Sequence, residues 1–172
     1  MIKVRYENEE DITAIRKVNN LAFKGEDEGR LVDAIRKSEF FIPELSLVAT
    51  MKGEIIGHIL FSGAAIETEA GPVGTLALAP MAVHPEYQNK GIGSLLVSEG
   101  LKKAKELDYE HVVVLGHPSF YPKFGFVPSR QKEIESPFPV PDEVFMVYEL
   151  KSGSLNDIKG KVKYPSAFDT VS

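Results

Sequence analysis

Gln88-Asn89-Lys90-Gly91-Ile92-Gly93 is the segment whose residue types and spacing are best suited to holding an anion. It follows an apolar run, Thr75–Val83, and the short link Pro85-Glu86-Tyr87, and it leads into residues with helical periodicity. A helix N-terminus exposes amides that have no intrahelical acceptor and carries a partial positive charge, so it receives phosphate readily. Gly91 and Gly93 permit positive φ and let the backbone approach an anion closely, and Lys90 adds a cation. A P-loop places lysine and then serine or threonine after its last glycine; here Lys90 comes before the glycines, so that pattern fails. A dinucleotide fingerprint needs a third glycine where Leu96 stands, so it fails as well. Taken alone, two glycines support a ligand-free helix start as well as they support an anion site.

The flanking elements can be read from periodicity. Ile2–Tyr6 alternates as a strand. Glu9, Glu10 and Asp11 place negative charge ahead of a helix carried by Ile12, Ile15, Val18 and Ala22, and Leu31, Val32 and Ile35 predict a second helix after an acidic loop, Lys24–Gly29. Leu45–Met51 and Glu54–Ser62 read as strands joined through Lys52-Gly53, a hairpin connection with glycine where positive φ is needed. Glu67–Gly74 reads as a turn and Thr75–Val83 as a strand. Pro80 cannot donate to a ladder, which predicts a bulge, a bend or an unpaired edge there. Gly91–Leu107 is the clearest helix, with Ile92, Leu95 and Leu96 on one face and Glu99 and Lys103 on the other. His111–Leu115 is short, continuous and β-branched, as a buried central strand is. Ser119–Phe124 reads as one or two helical turns and Val144–Leu150 as the last strand. The order β-α-α-β-β-β-α-β-α-β predicts an α/β fold with a mixed sheet covered by helices. Residues 1–150 are expected to form the domain. Residues 151–172 are expected to form a C-terminal extension docked on it through Val162, Tyr164 and Phe168, with partial disorder as the alternative.

Composition bounds the function. Of 172 residues, 43% are hydrophobic and 26% charged, ordinary values for a globular domain. A net charge of −5 argues against nucleic acid as the main partner. The chain has no cysteine, which excludes disulfides, thiolate metal sites and a cysteine nucleophile. No histidine or carboxylate spacing points to a metal. The longest apolar stretch, Leu76–Val83, falls far short of the ~20 residues of a membrane helix, and Met1–Asp11 has no apolar leader core. No membrane association and a cytoplasmic location are therefore expected.

The run Met81-Ala82-Val83-His84-Pro85-Glu86-Tyr87-Gln88-Asn89-Lys90-Gly91-Ile92-Gly93-Ser94-Leu95-Leu96 resembles the acetyl-CoA signature of the GNAT superfamily of N-acetyltransferases. That signature is an apolar strand ending in Val-x-Pro, then Gln/Arg-x-x-Gly-x-Gly/Ala opening a helix. Downstream, Val112–Gly116 followed by Phe120-Tyr121-Pro122-Lys123-Phe124-Gly125-Phe126 is similar to the family's next strand and its Y-x-x-x-G-F segment. With Gly57-His58-Ile59-Leu60-Phe61-Ser62, the chain resembles the YhbS-like branch over roughly residues 2–150.

The resemblance implies a central mixed sheet splayed between Thr75–Val83 and His111–Gly116, with acetyl-CoA as co-substrate and no metal. It implies that the backbone of Met81, Ala82 and Val83 meets the pantetheine arm, with one amide after Pro80 as oxyanion donor. Gln88, Asn89, Lys90, Gly91, Ile92, Gly93 and Ser94 are then the pyrophosphate site. Phe120 and Phe124 lie against the cofactor, and Tyr121 is the general acid that protonates the departing thiolate. The alternative for Tyr121 is an aromatic packed on the cofactor or in the core. The acceptor is an amine of a small molecule or of a protein, and dimers are common in folds of this kind. No general base stands out: Glu26 and Glu28 read as a solvated loop, His58 as a core histidine, His84 as sitting at the strand mouth and His117 as following the second strand. Lys24–Gly29, Phe40–Glu44 and Glu133–Asp142 are the stretches expected to wall the acceptor pocket. The rival reading is a non-catalytic acyl-CoA sensor that keeps the loop and has lost the chemistry. A ligand-free interaction module would require both motifs to be coincidental.

Overall fold

The computed structural model describes residues 1–170, in which the chain divides into two compact units. The first comprises Met1–Ser62, Ala79–Lys103 and the chain from Pro165 on; the second comprises Gly63–Leu78 and Ala104–Tyr164. Among the described residues, three helices, α1 (Ile12–Phe23), α2 (Asp27–Arg36) and α3 (Ile92–Glu106), accompany nine strands. These are β1 (Ile2–Tyr6), β2 (Ser46–Met51), β3 (Glu54–Thr68), β4 (Gly71–Val83), β5 (His111–Leu115), β6 (Val127–Pro128), β7 (Ile134–Glu135), β8 (Phe145–Glu149) and β9 (Gly160–Lys163). The strands hydrogen-bond in the order β1-β2-β3-β4-β5-β8-β6, with β9 joining β3 to β7. Among the registered pairs, β4–β5 and β7–β9 are parallel and the others antiparallel, so the sheet is mixed, as expected from sequence.

In the first unit, the apolar stripes of α1 and α2 supply Ile15, Leu31, Val32 and Ile35 to a core shared with Val48 of β2 and Leu60 of β3. Phe41, Ile55, Ala167 and Phe168 pack around it, so the last described residues form part of this core's wall. The predicted acidic loop is shorter than expected. Asp27 and Glu28 occupy the first turn of α2, where the helix dipole stabilises acidic side chains, and Lys24 closes α1 at φ 53°. The β2–β3 hairpin turns on Lys52 and Gly53, both at positive φ (53° and 81°), the pair of conformations a two-residue turn requires.

A buried polar chain runs through this unit. His58, 0% exposed, places Nδ1 3.2 Å from the Asn19 amide and Nε2 3.0 Å from Ser46 Oγ. The Ser46 hydroxyl donates to Glu7, whose carboxylate also accepts from Arg36. Because the Ser46 proton goes to Glu7 and Asn19 donates to Nδ1, the ring is neutral and carries its proton on Nε2. Burial, reinforced by the Arg36 charge, pushes the His58 pKa down from 6.5 to about 3. The unfolded chain therefore binds a proton between those values that the folded chain refuses, and this part of the stability, complete above pH 6.5, is lost as pH falls toward 3. Urea unfolding should show stability falling by up to about 1.4 kcal/mol per pH unit through this window. His58→Gln should flatten that slope; an unchanged slope would mean that another group sets it.

In the second unit, β5 pairs along its length with β8, and β6 follows on the far side of β8. Ser119–Phe124, read as one or two helical turns, holds a single 3-10 turn, Tyr121–Phe124, closed by Gly125 at φ 107°. Other predicted elements are corrected. The predicted turn Glu67–Gly74 contracts, since β3 and β4 extend to Thr68 and from Gly71 and leave Glu69-Ala70 as the tip. The two-residue strands β6 and β7, too short for periodicity to reveal, were not expected. In the C-terminal segment, β9 pairs antiparallel with Ala65–Glu67 of β3, and Val162 is buried. No helix among the described residues is long and apolar enough to cross a membrane.

Candidate active site

The first unit builds the glycine loop. β2 and β3 are out of step by one residue: Ala49 faces Gly57 while Thr50 faces Ile55, so Ile56 is an extra residue in the ladder. Its carbonyl accepts the His84 amide at 2.8 Å and so fixes the end of β4. Pro85–Tyr87 then makes a 3-10 turn in which His84 Nδ1 accepts the Glu86 N–H at 3.1 Å and the His84 ring meets the edge of Tyr87 at 5.7 Å. The Gln88 side chain folds back and donates to the Val83 carbonyl at 3.1 Å. Asn89 (φ 62°) and Gly91 (φ 82°) both take left-handed conformations, and α3 begins at Ile92.

The first regular helical bond of α3 runs from the Leu95 N–H to the Gly91 carbonyl at 3.0 Å. The amides of Ile92, Gly93 and Ser94 precede it, the arrangement that binds phosphate at helix N-termini. A Cβ built on Gly91 would meet nothing within 4 Å, so the residue faces open space. Lys90 Nζ lies 5.6 Å from the Tyr87 ring, and residues 88–91 are exposed. Beneath the loop, Ile92 and Leu96 are buried against β3 at Gly57, where an added Cβ would stand 3.0 Å from Leu96 Cδ1 and 3.3 Å from Ile92 Cγ2. Ala82 is buried, whereas Met81 and Val83 are half-buried. Pro80 is buried and follows a cis peptide bond, which is how β4 accommodates the proline flagged in the sequence.

In the second unit, the parallel β4–β5 ladder consists of Leu76↔Val112 and Ala77↔Val113, although β4 runs on to Val83. The ladder is tied at its start. The Thr75 hydroxyl donates to the His111 carbonyl at 3.2 Å and accepts from His111 Nδ1 at 2.7 Å, while burial lowers the pKa of that imidazole. After β5, the Gly116 amide bonds to the Val144 carbonyl at 2.9 Å.

Tyr121 is 7% exposed and lies over Gly116. Its ring meets Phe120 at 5.0 Å and Phe126 at 5.5 Å, both edge-on. Its hydroxyl has no hydrogen-bond partner among the described residues, and burial pushes its pKa up to about 12. Phe124 packs on Phe120 at 5.2 Å, and Lys123 Nζ sits 4.7 Å from the Phe120 ring. A Cβ on Gly116 would collide with the Tyr121 ring, so Gly116→Ala should displace that ring. The expected cost is about 1–3 kcal/mol of stability, as for other overpacked sites, and thermal unfolding would measure it.

The structure thus gathers Met81, Ala82, Val83 and Gln88–Ser94 in one unit, and Phe120, Tyr121 and Phe124 in the other. Of the groups considered as a base, His58 has both nitrogens engaged in the interior, Glu26 lies 3.5 Å from Arg30 on the surface, and His117 is exposed. Among the described residues, no group of three or more His, Cys, Asp or Glu is placed to hold a metal ion. Gly57 and Gly116 were read from the sequence only as members of the family's motifs, without their packing roles, and the Ile56 bulge was missed. Gly116 carried a usable signal, a glycine at the end of a buried strand four residues before an aromatic turn, whereas the bulge left none.

Residues 38–128 match the acetyltransferase (GNAT) domain family. The chain is 38% identical to the N-acetyltransferase YjhQ of Escherichia coli, itself uncharacterised, over 134 residues, 77% of this chain and 74% of that protein. It is 32% identical to the likewise uncharacterised N-acetyltransferase YhbS of Escherichia coli over 96% of this chain and 98% of that one. The crystal structure of YhbS in complex with CoA superposes with a TM-score of 0.90 at 30% identity, covering 98% of this chain and 92% of that one. A GNAT family acetyltransferase from Brucella melitensis in complex with acetyl-CoA gives a TM-score of 0.81 at 30% identity, covering 98% and 99%.

Proposed function

On the premise that the chain belongs to the GNAT acetyltransferase family, which its match over residues 38–128 and its similarity to YjhQ and YhbS establish, we propose that it transfers the acetyl group of acetyl-CoA directly to a primary amine, with Tyr121 as general acid. The observation that carries the reading is the start of α3: free amides at Ile92, Gly93 and Ser94 beside a Gly91 that faces open space. That surface suits a pyrophosphate, as do the complexes of YhbS with CoA and of the Brucella protein with acetyl-CoA.

Acetyl-CoA supplies a thioester whose carbonyl an amine attacks and whose thiolate departs. The amides from Gln88 to Ser94 hold the diphosphate, and Lys90 adds positive charge. The backbone of Met81, Ala82 and Val83 holds the pantetheine arm. One of these amides donates to the thioester oxygen, a contribution worth about 3 kcal/mol where such donors have been removed. Phe120 and Phe124 pack against the cofactor. Tyr121 gives its proton to the departing sulfur, and the proton shed by the amine nitrogen passes to water. Its hydroxyl satisfies no group of the protein, which leaves it available to a ligand. The acceptor is a small-molecule or protein amine.

Calorimetric titration with acetyl-CoA, followed by free-thiol release across polyamines, aminoglycosides, amino acids and N-terminal peptides, tests the reading. Saturable binding and turnover on at least one amine class are expected. Absence of binding overturns the proposal. Binding without turnover on any amine replaces it with the acyl-CoA sensor.

A further inference from the structure

β4 gives way to the glycine loop at His84, and this residue commits its amide, its carbonyl and its side chain there. The amide donates to the Ile56 carbonyl at 2.8 Å, the carbonyl accepts the Tyr87 N–H at 2.8 Å, and Nδ1 accepts the Glu86 N–H at 3.1 Å. Pro85, the first residue of the turn, has no N–H. Every amide proton of the turn Pro85–Tyr87 therefore ends on His84, and His84 itself is tied to the extra residue of the β2–β3 ladder.

The far side of the turn is fixed as well. The imidazole meets the Tyr87 ring edge-on at 5.7 Å, and Lys90 Nζ lies 5.6 Å from the same ring. The Gln88 side chain returns to the Val83 carbonyl at 3.1 Å. Residues 83–88 thus form a closed turn. The chain leaves it through Asn89 and Gly91, both left-handed, and enters α3 at Ile92. Only residues 89–91 separate the turn from the free amides of Ile92, Gly93 and Ser94, so a rotation of the turn is passed on to them.

The same hydrogen bond bears on what the histidine can do. An Nδ1 that accepts leaves the ring proton on Nε2, and the ring then keeps no free lone pair for the proton of an amine. His84 is arranged to serve the loop and not to act as the base.

We propose that His84 is a positioning residue for acetyl-CoA: it anchors the turn Pro85–Tyr87 to the Ile56 bulge and so holds the amides of Ile92, Gly93 and Ser94 in one orientation toward the diphosphate. The proposal rests on the reading of this loop as the cofactor's, and adds what keeps the loop in shape.

His84→Ala keeps the backbone bonds and removes the cap and the ring. His84→Asn restores an acceptor in a position where asparagine caps well. Thermal unfolding checks that both variants retain the fold. Calorimetry on the full chain should show acetyl-CoA bound about fivefold more weakly by His84→Ala, the effect of a lost cap, and within about twofold of the parent by His84→Asn. In free-thiol assays the loss in His84→Ala should appear in the KM for acetyl-CoA, with kcat within about twofold of the parent. Parental affinity in His84→Ala, equal weakening in the two variants, or a fall in kcat at parental KM overturns the proposal. Gly91→Ala separates it from the reading beneath. Weakened binding by Gly91→Ala beside parental binding by His84→Ala means that the loop holds the cofactor and His84 does not hold the loop. Parental binding by both, or no binding by the parent chain, removes the cofactor from this loop and the proposal with it.

Discussion

Tyr121→Phe should turn over at least a hundredfold more slowly than the parent at neutral pH, with unchanged affinity for acetyl-CoA. The magnitude is the lower end of the ~10²–10⁴ contributed by a positioned general acid. Phe keeps the ring over Gly116 and its edge contacts with Phe120 and Phe126, so the fold is preserved and only the hydroxyl is lost. With its pKa pushed up to about 12, the phenol stays protonated at every working pH, and parental activity should show no alkaline loss before roughly pH 11. An ordinary thiol, near ~8.5, is a weaker base than this tyrosinate, which taken alone makes the transfer uphill. A thiolate released into the same desolvated surroundings is raised by the same physics, which narrows the gap. A pH–rate profile for both chains decides the matter: full activity of Tyr121→Phe across the range removes the proton-donor role and leaves the ring as packing.

The second large effect is expected at Gly91. At φ 82°, alanine costs roughly 1–2 kcal/mol in conformational strain, while its Cβ meets no protein atom within 4 Å. A purely structural glycine would show only that strain, as a modest fall in melting temperature. If the loop holds a diphosphate, Gly91→Ala also places a methyl group on the face the anion occupies and turns the amides away from it. Acetyl-CoA should then bind at least tenfold more weakly, about 1.4 kcal/mol. Calorimetry beside thermal unfolding separates the two effects, and a dissociation constant within twofold of the parent would show that the loop does not hold the cofactor.

The periodic parts of this fold were legible from sequence. α1 and α3 carry continuous stripes of apolar residues, and Val112–Val114 is a β-branched run of the kind that favours a buried strand. The glycine loop was legible as a possible anion site, and the order of its neighbours identified the family that the comparisons then established. What escaped is set by tertiary pairing. β6 and β7 exist because β8 and β9 lie beside them, and two residues carry no period. The Ile56 bulge depends on register between strands, which composition does not encode.

β9 has a consequence for how copies of this chain behave toward one another. Residues 65–67 of β3 would otherwise present a row of bare amides and carbonyls, a template onto which any extended segment adds by backbone pairing. Gly160–Lys163 occupies that row, and its own outer edge is covered in turn at Gly160 and Lys161 by β7, a strand of only two residues, too short to template a further one. The C-terminal segment therefore acts as a guard against aggregation. A chain cut before residue 160 would retain the glycine loop and the Tyr121 turn and lose the strand that covers residues 65–67 of β3.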